Sequence, residues 1–484
     1  MRKLLGLTAF LGVALAFSST ASAGEVTRVA SSAEEDDPFD LHVGVSYDFD
    51  FTKASVLREW SNNGQNRLVR DLVYTQQRHV VTPTLEIGLY HDLSIYATLP
   101  IVAADNRNYE LDQREGDDCI YPADVTGAGQ IPNCVNKSNS TTIRDNIVPA
   151  NGWDSLERGS AYEQFDQPDD TMLFRAPVRR GLDQLHLGLK YGILNQKKYS
   201  HLPNWVIAIE GRLAIAKPQS FSRDIDTNDP AGNHRVGRGM HELGAWTALS
   251  RRYRFLDPFF GAHWRIGLRA NRTDFTKYAG QSEVNPPQTM GAVFGTEIIA
   301  WENEEKVQKF SLILSGNAEF ITRGRNYSEV WELLADSPAL VGPVARGGQC
   351  NVGAATNYAA ANLDNPDDYL EAANNAANSG DCAKFDGITT VDNFARLGLT
   401  AAFNFWMGKY ARLNLGAHLR TQTQHFLTGA NRGDPNADPN TDPDVVDDTE
   451  VNPVRRDVID AVGRRYALDN TVQVTAFANF LLTF

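Results

Sequence analysis

Apolar and polar residues take turns along this chain in run after run, and that two-residue period limits what it can fold into more than any other feature. From Leu41, one face reads Leu41, Val43, Val45, Tyr47, Phe49 and Phe51, and the other His42, Gly44, Ser46, Asp48, Asp50 and Thr52. Successive side chains of an extended strand point to opposite faces, so this is a strand with one greasy and one polar surface. The pattern returns at 85–89, 93–101, 185–193, 205–215, 240–249, 260–270, 290–300, 310–320, 395–407, 411–421 and 472–484, giving twelve runs. A tilted strand crosses a bilayer in about 9–11 residues. An even number of such strands fits a bacterial outer-membrane barrel, and the expected fold is an all-β, transmembrane antiparallel β-barrel of about twelve strands.

The links between runs alternate in length. Short ones fall near His91 and Asp92, at 195–203, 253–258 and 302–307, and at Gly408 and Lys409. Long ones occupy 53–70, 106–181, 217–239, 275–288, 322–390 and 422–465. Short periplasmic turns and long outer loops are the asymmetry of outer-membrane barrels. Parity then places both chain ends in the periplasm.

Charge and targeting agree with this address. Lys plus Arg number 46 against 60 Asp plus Glu, a net charge of −14, which disfavours a nucleic-acid partner because phosphates need basic side chains. Charged residues make up 22% of the chain, so a bundle of apolar spanning helices is excluded. Arg2 and Lys3, an apolar run over 4–17 and the small residues Ala21, Ser22 and Ala23 form a secretory signal over 1–23. A periplasmic segment over 24–40 then leads into the barrel of 41–484. In an exported chain the four cysteines read as disulfides, and separation favours Cys119 with Cys134 and Cys350 with Cys382, each inside one outer loop. The final run ends on Phe480, Leu482 and Phe484, which looks like the signal by which the barrel-assembly machinery recognises its clients.

With the apolar face turned to lipid, including lipopolysaccharide, the other face lines the lumen. That assigns inward positions to Asp48, Asp50, Glu86, Lys190, Glu210, Arg212, His263, Arg265, Arg269, Lys309, Glu319, Arg396, Arg412, His418 and Arg420. Groups of both signs either line a water path or pair across it and close it. Arg residues concentrate in the later half, which favours anionic solutes in an open pore. The sixth run reads either way, with Leu243, Ala245, Thr247 and Leu249 toward lipid or Gly244, Trp246 and Ala248, and the first is preferred. Tyr90, Trp205, Trp301, Trp406, Tyr410 and Phe484 stand near strand ends as an interfacial girdle. The last loop carries Asp434, Asn436, Asp438 and Asp442 at alternate positions, hard oxygen donors that suit calcium, although an EF-hand would need a glycine where Pro439 stands. No other cofactor is expected. The chain lacks a Gly-x-Ser-x-Gly elbow, a His-Glu-x-x-His helix and a Walker loop, so no enzyme is expected either.

Three stretches carry a family resemblance. Gly88, Leu89, Asp92, Leu93, Leu99 and Pro100, then Leu187, Gly188, Leu189, Lys190 and Tyr191, then Gly237 and Gly239, are similar to the outer-membrane transporter-like family named for the MetA pathway of phenol degradation. The resemblance covers roughly residues 80–270 and the last strand. It departs from the family at Tyr90 and His91, which lengthen a turn, and at 216–219. What it implies is a barrel of about twelve strands taking up small, hydrophobic or aromatic solutes. The alternative function is a non-conducting surface protein whose disulfide-tied loops bind a partner or stiffen the envelope.

Overall fold

In the computed structural model the alternating runs pair edge to edge into one antiparallel sheet that closes on itself. The structure describes residues 26–33, 39–62, 65–113, 135–137, 139–149, 151–155, 165, 171–196, 198–223, 232–271, 273–275, 281–340, 342–343, 382–383, 385–433 and 452–484. The signal segment, Cys119, Cys134, Cys350 and the acidic positions Asp434, Asn436, Asp438 and Asp442 lie outside the described residues, and of Cys382 only the backbone is described.

Twelve barrel strands follow in chain order. They are β1 (Leu41–Asn62), β2 (Gln65–Tyr90), β3 (Leu93–Thr98, continuing as Ile101–Leu111), β4 (Arg179–Leu182, continuing as Gln184–Leu194), β5 (Asn204–Ala214) and β6 (Met240–Ser250). The second half comprises β7 (Leu256–Arg269), β8 (Thr289–Asn303), β9 (Gln308–Ile321), β10 (Phe394–Met407), β11 (Ala411–Gln422) and β12 (Tyr466–Thr483). Each pairs with the next, and β12 pairs with β1 to close the ring. Closure removes the unpaired edges that no bilayer could satisfy. The seam is fastened at the chain ends, where Leu41 donates its N–H to the Phe484 carbonyl at 3.1 Å and accepts from Phe484 at 2.9 Å. Pro100 explains the break in β3: it has no N–H to give the ladder, yet the register resumes with Ile101 opposite Val81.

The two faces separate as their alternation requires. Val43, Leu89, Ile209, Leu243, Phe294 and Leu399 stand exposed on the outside, while Glu86, Ser94, Glu297 and Asn404 are buried inside. Leu243 on the outer face and Ala248 within match the assignment made for the sixth run. An apolar outer band around a closed barrel is a surface for hydrocarbon, and the protein resides in the bacterial outer membrane. Among the described residues no helix is long and apolar enough to cross a membrane.

Two expectations are corrected. The first long link is no loop, because Lys53 to Asn62 and Gln65 to Arg70 continue β1 and β2 as one paired hairpin, with Lys53 opposite Thr75 and Asn62 opposite Gln65. A polar, non-alternating stretch hid it: Trp60 and Arg58 interrupt the period just where the strands rise beyond the membrane. Trp406 is no girdle residue either. Its ring lies between Lys309 Nζ and Arg412 Cζ, each 4.1 Å from the centroid, so it serves a lumenal charge cluster.

Packed segments enter the lumen from both ends. At the outer end, loop residues Ile147, Trp153, Phe221, Trp331, Leu333, Leu334 and Ile459 join Val56, Leu72, Tyr74, Tyr109 and Leu468 of the rising strands in a single buried apolar cluster. At the inner end, the segment before β1 enters the barrel. Val26 packs with Ala248, Phe259, Ile313, Ala402 and Phe477, contributed by five different strands. Thr27 and Ser250 share a hydroxyl hydrogen bond at 2.7 Å, and the Ala30 N–H donates to Glu86 at 3.0 Å.

Candidate solute path

Among the described residues, two polar spaces in the interior meet beside Val26. The outer one, about 580 Å³, lies between Val26 and the loop cluster, and Asp48, Asp50, Arg78, Arg107, Asn317, Tyr327, Trp331, Arg396, His418 and Arg420 are among its walls. The inner one, about 240 Å³, is lined by residues that include Arg28, Glu86, Tyr96, Lys190, Glu210, His263, Arg265 and Arg412. Val26, Thr82, His186 and Arg212 border both.

Most of the inward charges are held in pairs. Lys190 reaches Glu86 at 2.7 Å across the β2 to β4 wall, and Ser94 donates to the same carboxylate at 2.7 Å. Glu210 accepts from Tyr96 and from Arg212, both at 2.6 Å. Arg212, Arg238 and Arg265 converge on Glu242 at 3.3, 3.2 and 3.6 Å, and Arg238 also holds Asp183 at 2.8 Å. Glu319 lies 3.8 Å from Arg396, and Lys309 lies 2.8 Å from Glu297. In the Arg-rich later half, Arg265 and Arg396 have carboxylate partners, at 3.6 and 3.8 Å. His263 lines the inner space beside Arg265, and His418 lines the outer one, bonded to Thr400 at 2.8 Å and accepting from Arg420 at 3.3 Å. Arg269, at the outer end of β7, borders neither space.

The lid over the outer space is fixed by charge as well as by packing. A short helix, Trp331–Leu334, drops from the fifth loop into the mouth and brings Glu332 between two guanidinium groups. Glu332 is fully buried; Arg179 Nε donates to it, and Arg107 Nη1 approaches at 3.4 Å. Arg179 spends its remaining donors on the carbonyls of Arg235 and Ser220 at 2.7 and 2.9 Å and stacks on Trp331, 4.6 Å from the ring. A buried carboxylate with this many donors is tightly held, because either partner alone would be stranded in an apolar site.

Parity located most of these residues. It passes equally through Tyr96, Glu242 and Glu297, which the candidate set omitted. It has no purchase on Asp183, Arg238, Glu332 or Val26, which lie in links, at strand ends or in the leading segment. The family-like positions turn out to be structural. A Cβ on Gly188 would lie 2.2 Å from the Tyr96 ring, so the glycine clears space for the side chain that reaches Glu210. Asp92 fastens its turn to Asn195 and Lys198 at 2.9 and 2.8 Å.

No family model and no curated protein matches the chain. Among solved structures, an outer-membrane channel from Pseudomonas putida F1 is similar at 9% identity, covering 91% of this chain and 96% of that one, with a TM-score of 0.35. A Pseudomonas aeruginosa FadL homologue gives 8% identity, 98% and 99% coverage and a TM-score of 0.30. The Escherichia coli outer membrane protease OmpT gives 7%, 95%, 100% and 0.28. Likeness at this level adds nothing to what the barrel itself establishes.

Proposed function

We propose that this barrel is an outer-membrane channel for small solutes, closed in the conformation described here by its leading segment and its outer loops. The observation that carries this is the pair of polar spaces that the described residues enclose inside one barrel, meeting at Val26, Thr82, His186 and Arg212. A barrel built only as a scaffold has no reason to keep about 580 Å³ of charged interior next to its axis. Eight-stranded barrels are filled by side chains, whereas wider ones leave room that must be plugged or used. The charged lining supports polar solutes over the hydrophobic or aromatic ones implied by the family resemblance, and membership of that family rests on the motifs alone.

The test is liposome swelling and single-channel conductance of the full mature chain beside a variant lacking residues 24–33. The channel reading expects a small conductance in the first and a several-fold larger one in the second. If neither protein conducts while both show the heat-modifiable mobility of a folded barrel, the reading fails. The apolar outer plug favours a second reading, a non-conducting surface protein whose folded loops meet a partner, and that same null result would support it.

A further inference from the structure

Three charged groups lining the outer space, Asp48, Asp50 and Arg420, stand apart from the ion-paired network. Asp48 and Asp50 share the lumenal face of β1, and among the described residues no cation comes within 4.0 Å of either. Asp50 accepts only from neutral groups, Thr475 and, at 3.5 Å, Gln473; Asp48 accepts only from Ser46, at 3.5 Å. Two strands away, Arg420 of β11 makes no ion pair and gives Nε to His418, and Arg396 of β10 holds Glu319 only at 3.8 Å with its Nε unbonded. The register relates them. Asp50 lies opposite Thr475, Thr475 opposite His418 and His418 opposite Thr400, while Arg420 stands two residues further along β11 and Arg396 diagonally beyond it. With strands about 4.8 Å apart and a rise of about 3.4 Å per residue, the Asp50 and Arg420 backbones lie roughly 12 Å apart, two strands across and two residues along, a gap that the long Arg420 side chain can shorten.

Leaving two carboxylates and the Arg420 guanidinium without an ion pair on one wall costs desolvation and like-charge repulsion, and elsewhere in this lumen such groups are brought together. All three are half-buried and line the same space. A ligand that answers the carboxylates and Arg420 at once carries an ammonium and a carboxylate a few ångströms apart. We infer that the outer space binds small zwitterions of the amino-acid type, the ammonium taken by Asp50 with Asp48 two residues along the same face, and the carboxylate by Arg420. Guanidinium groups suit the second task because their planar donors match a carboxylate's two oxygens. This inference rests on the channel reading for access to the space, but binding and passage are measured separately.

The experiment is calorimetric titration of the purified, detergent-solubilised mature barrel with glycine, β-alanine and 4-aminobutyrate, and with acetate and methylammonium as single-charge controls. Zwitterions are expected to bind at least tenfold more tightly than either control. Asp50→Asn and Arg420→Gln, both close in shape to the native residue, should each remove that advantage, with a heat-modifiable barrel confirming the fold. Acetate binding as tightly as the zwitterions, with Asp50→Asn silent, would overturn the inference in favour of a plain anion site. No binding by any probe overturns it too, leaving the channel reading to its conductance test; binding with no conductance in either the full chain or the variant lacking residues 24–33 would sustain the site and sink the channel.

Discussion

Replacing Glu332 by alanine tests whether the fifth loop is locked into the mouth by charge. The side chain is fully buried and receives donors from Arg179, itself fully buried, and from Arg107, which also holds Asp105 at 2.7 Å. Alanine strands the Arg179 charge with only two carbonyls and the Trp331 face for company. Removing one partner of a buried pair costs about 3–5 kcal/mol. At 1.4 kcal/mol per tenfold, the opening equilibrium of the helix Trp331–Leu334 should rise by about two to three and a half powers of ten. Native-state hydrogen exchange of the Leu334 amide, which donates to the Val330 carbonyl at 3.1 Å, reads that opening directly. Conductance of the same protein reads its consequence. The double variant Arg179→Met with Glu332→Leu should recover most of the protection, since an apolar pair of similar size can replace a buried ion pair. An exchange rate changed less than about fivefold by Glu332→Ala, a shift near 1 kcal/mol, would refute the idea that charge holds the lid. In that case the apolar cluster alone does so.

Three further outcomes follow from the same structure. Gly188→Ala should destabilise the barrel by about 1–3 kcal/mol through collision with Tyr96, measured by urea unfolding, and Tyr96→Ala in the same chain should relieve it; equal stability of the wild type and the Gly188→Ala chain would count against the packing argument. Burial pushes the Asp386 carboxyl above its usual 3.8, and burial together with the Asp386 charge does the same for Asp274. A carboxyl raised on folding binds its proton more tightly in the folded state, so the cap should gain stability as pH falls through the raised value and level off below 3.8; slower proteolysis of the loops at pH 5 than at pH 7, lost in Asp386→Asn, is the check. Deleting Phe484 removes both the terminal aromatic residue and the two backbone bonds to Leu41, and it should lower the heat-modifiable fraction of barrel recovered from membranes; unchanged recovery would show the terminal residue to be dispensable.

The alternation of Leu41 to Thr52 and its eleven counterparts was enough to determine the barrel, its side facing lipid and the side on which nearly every inward charge falls. Both environments impose the same period of two, and a slip of one residue would turn every charge into hydrocarbon. Short turns such as Tyr90 to Leu93 were legible for the same reason, since a few polar residues between two runs leave the chain little choice. What only the tertiary structure decided is that packed segments stand in the lumen. Trp153, Phe221 and the helix Trp331–Leu334 come from three separate loops, without periodicity, and become a core only when the closed ring brings them together above the membrane. Val26 gives no local sign that it will sit among five strands, and Glu332 none that it will meet Arg179 from 153 positions away. Pairing of this kind depends on which walls face each other across the barrel, a distance set by strand number and stagger rather than by neighbouring residues.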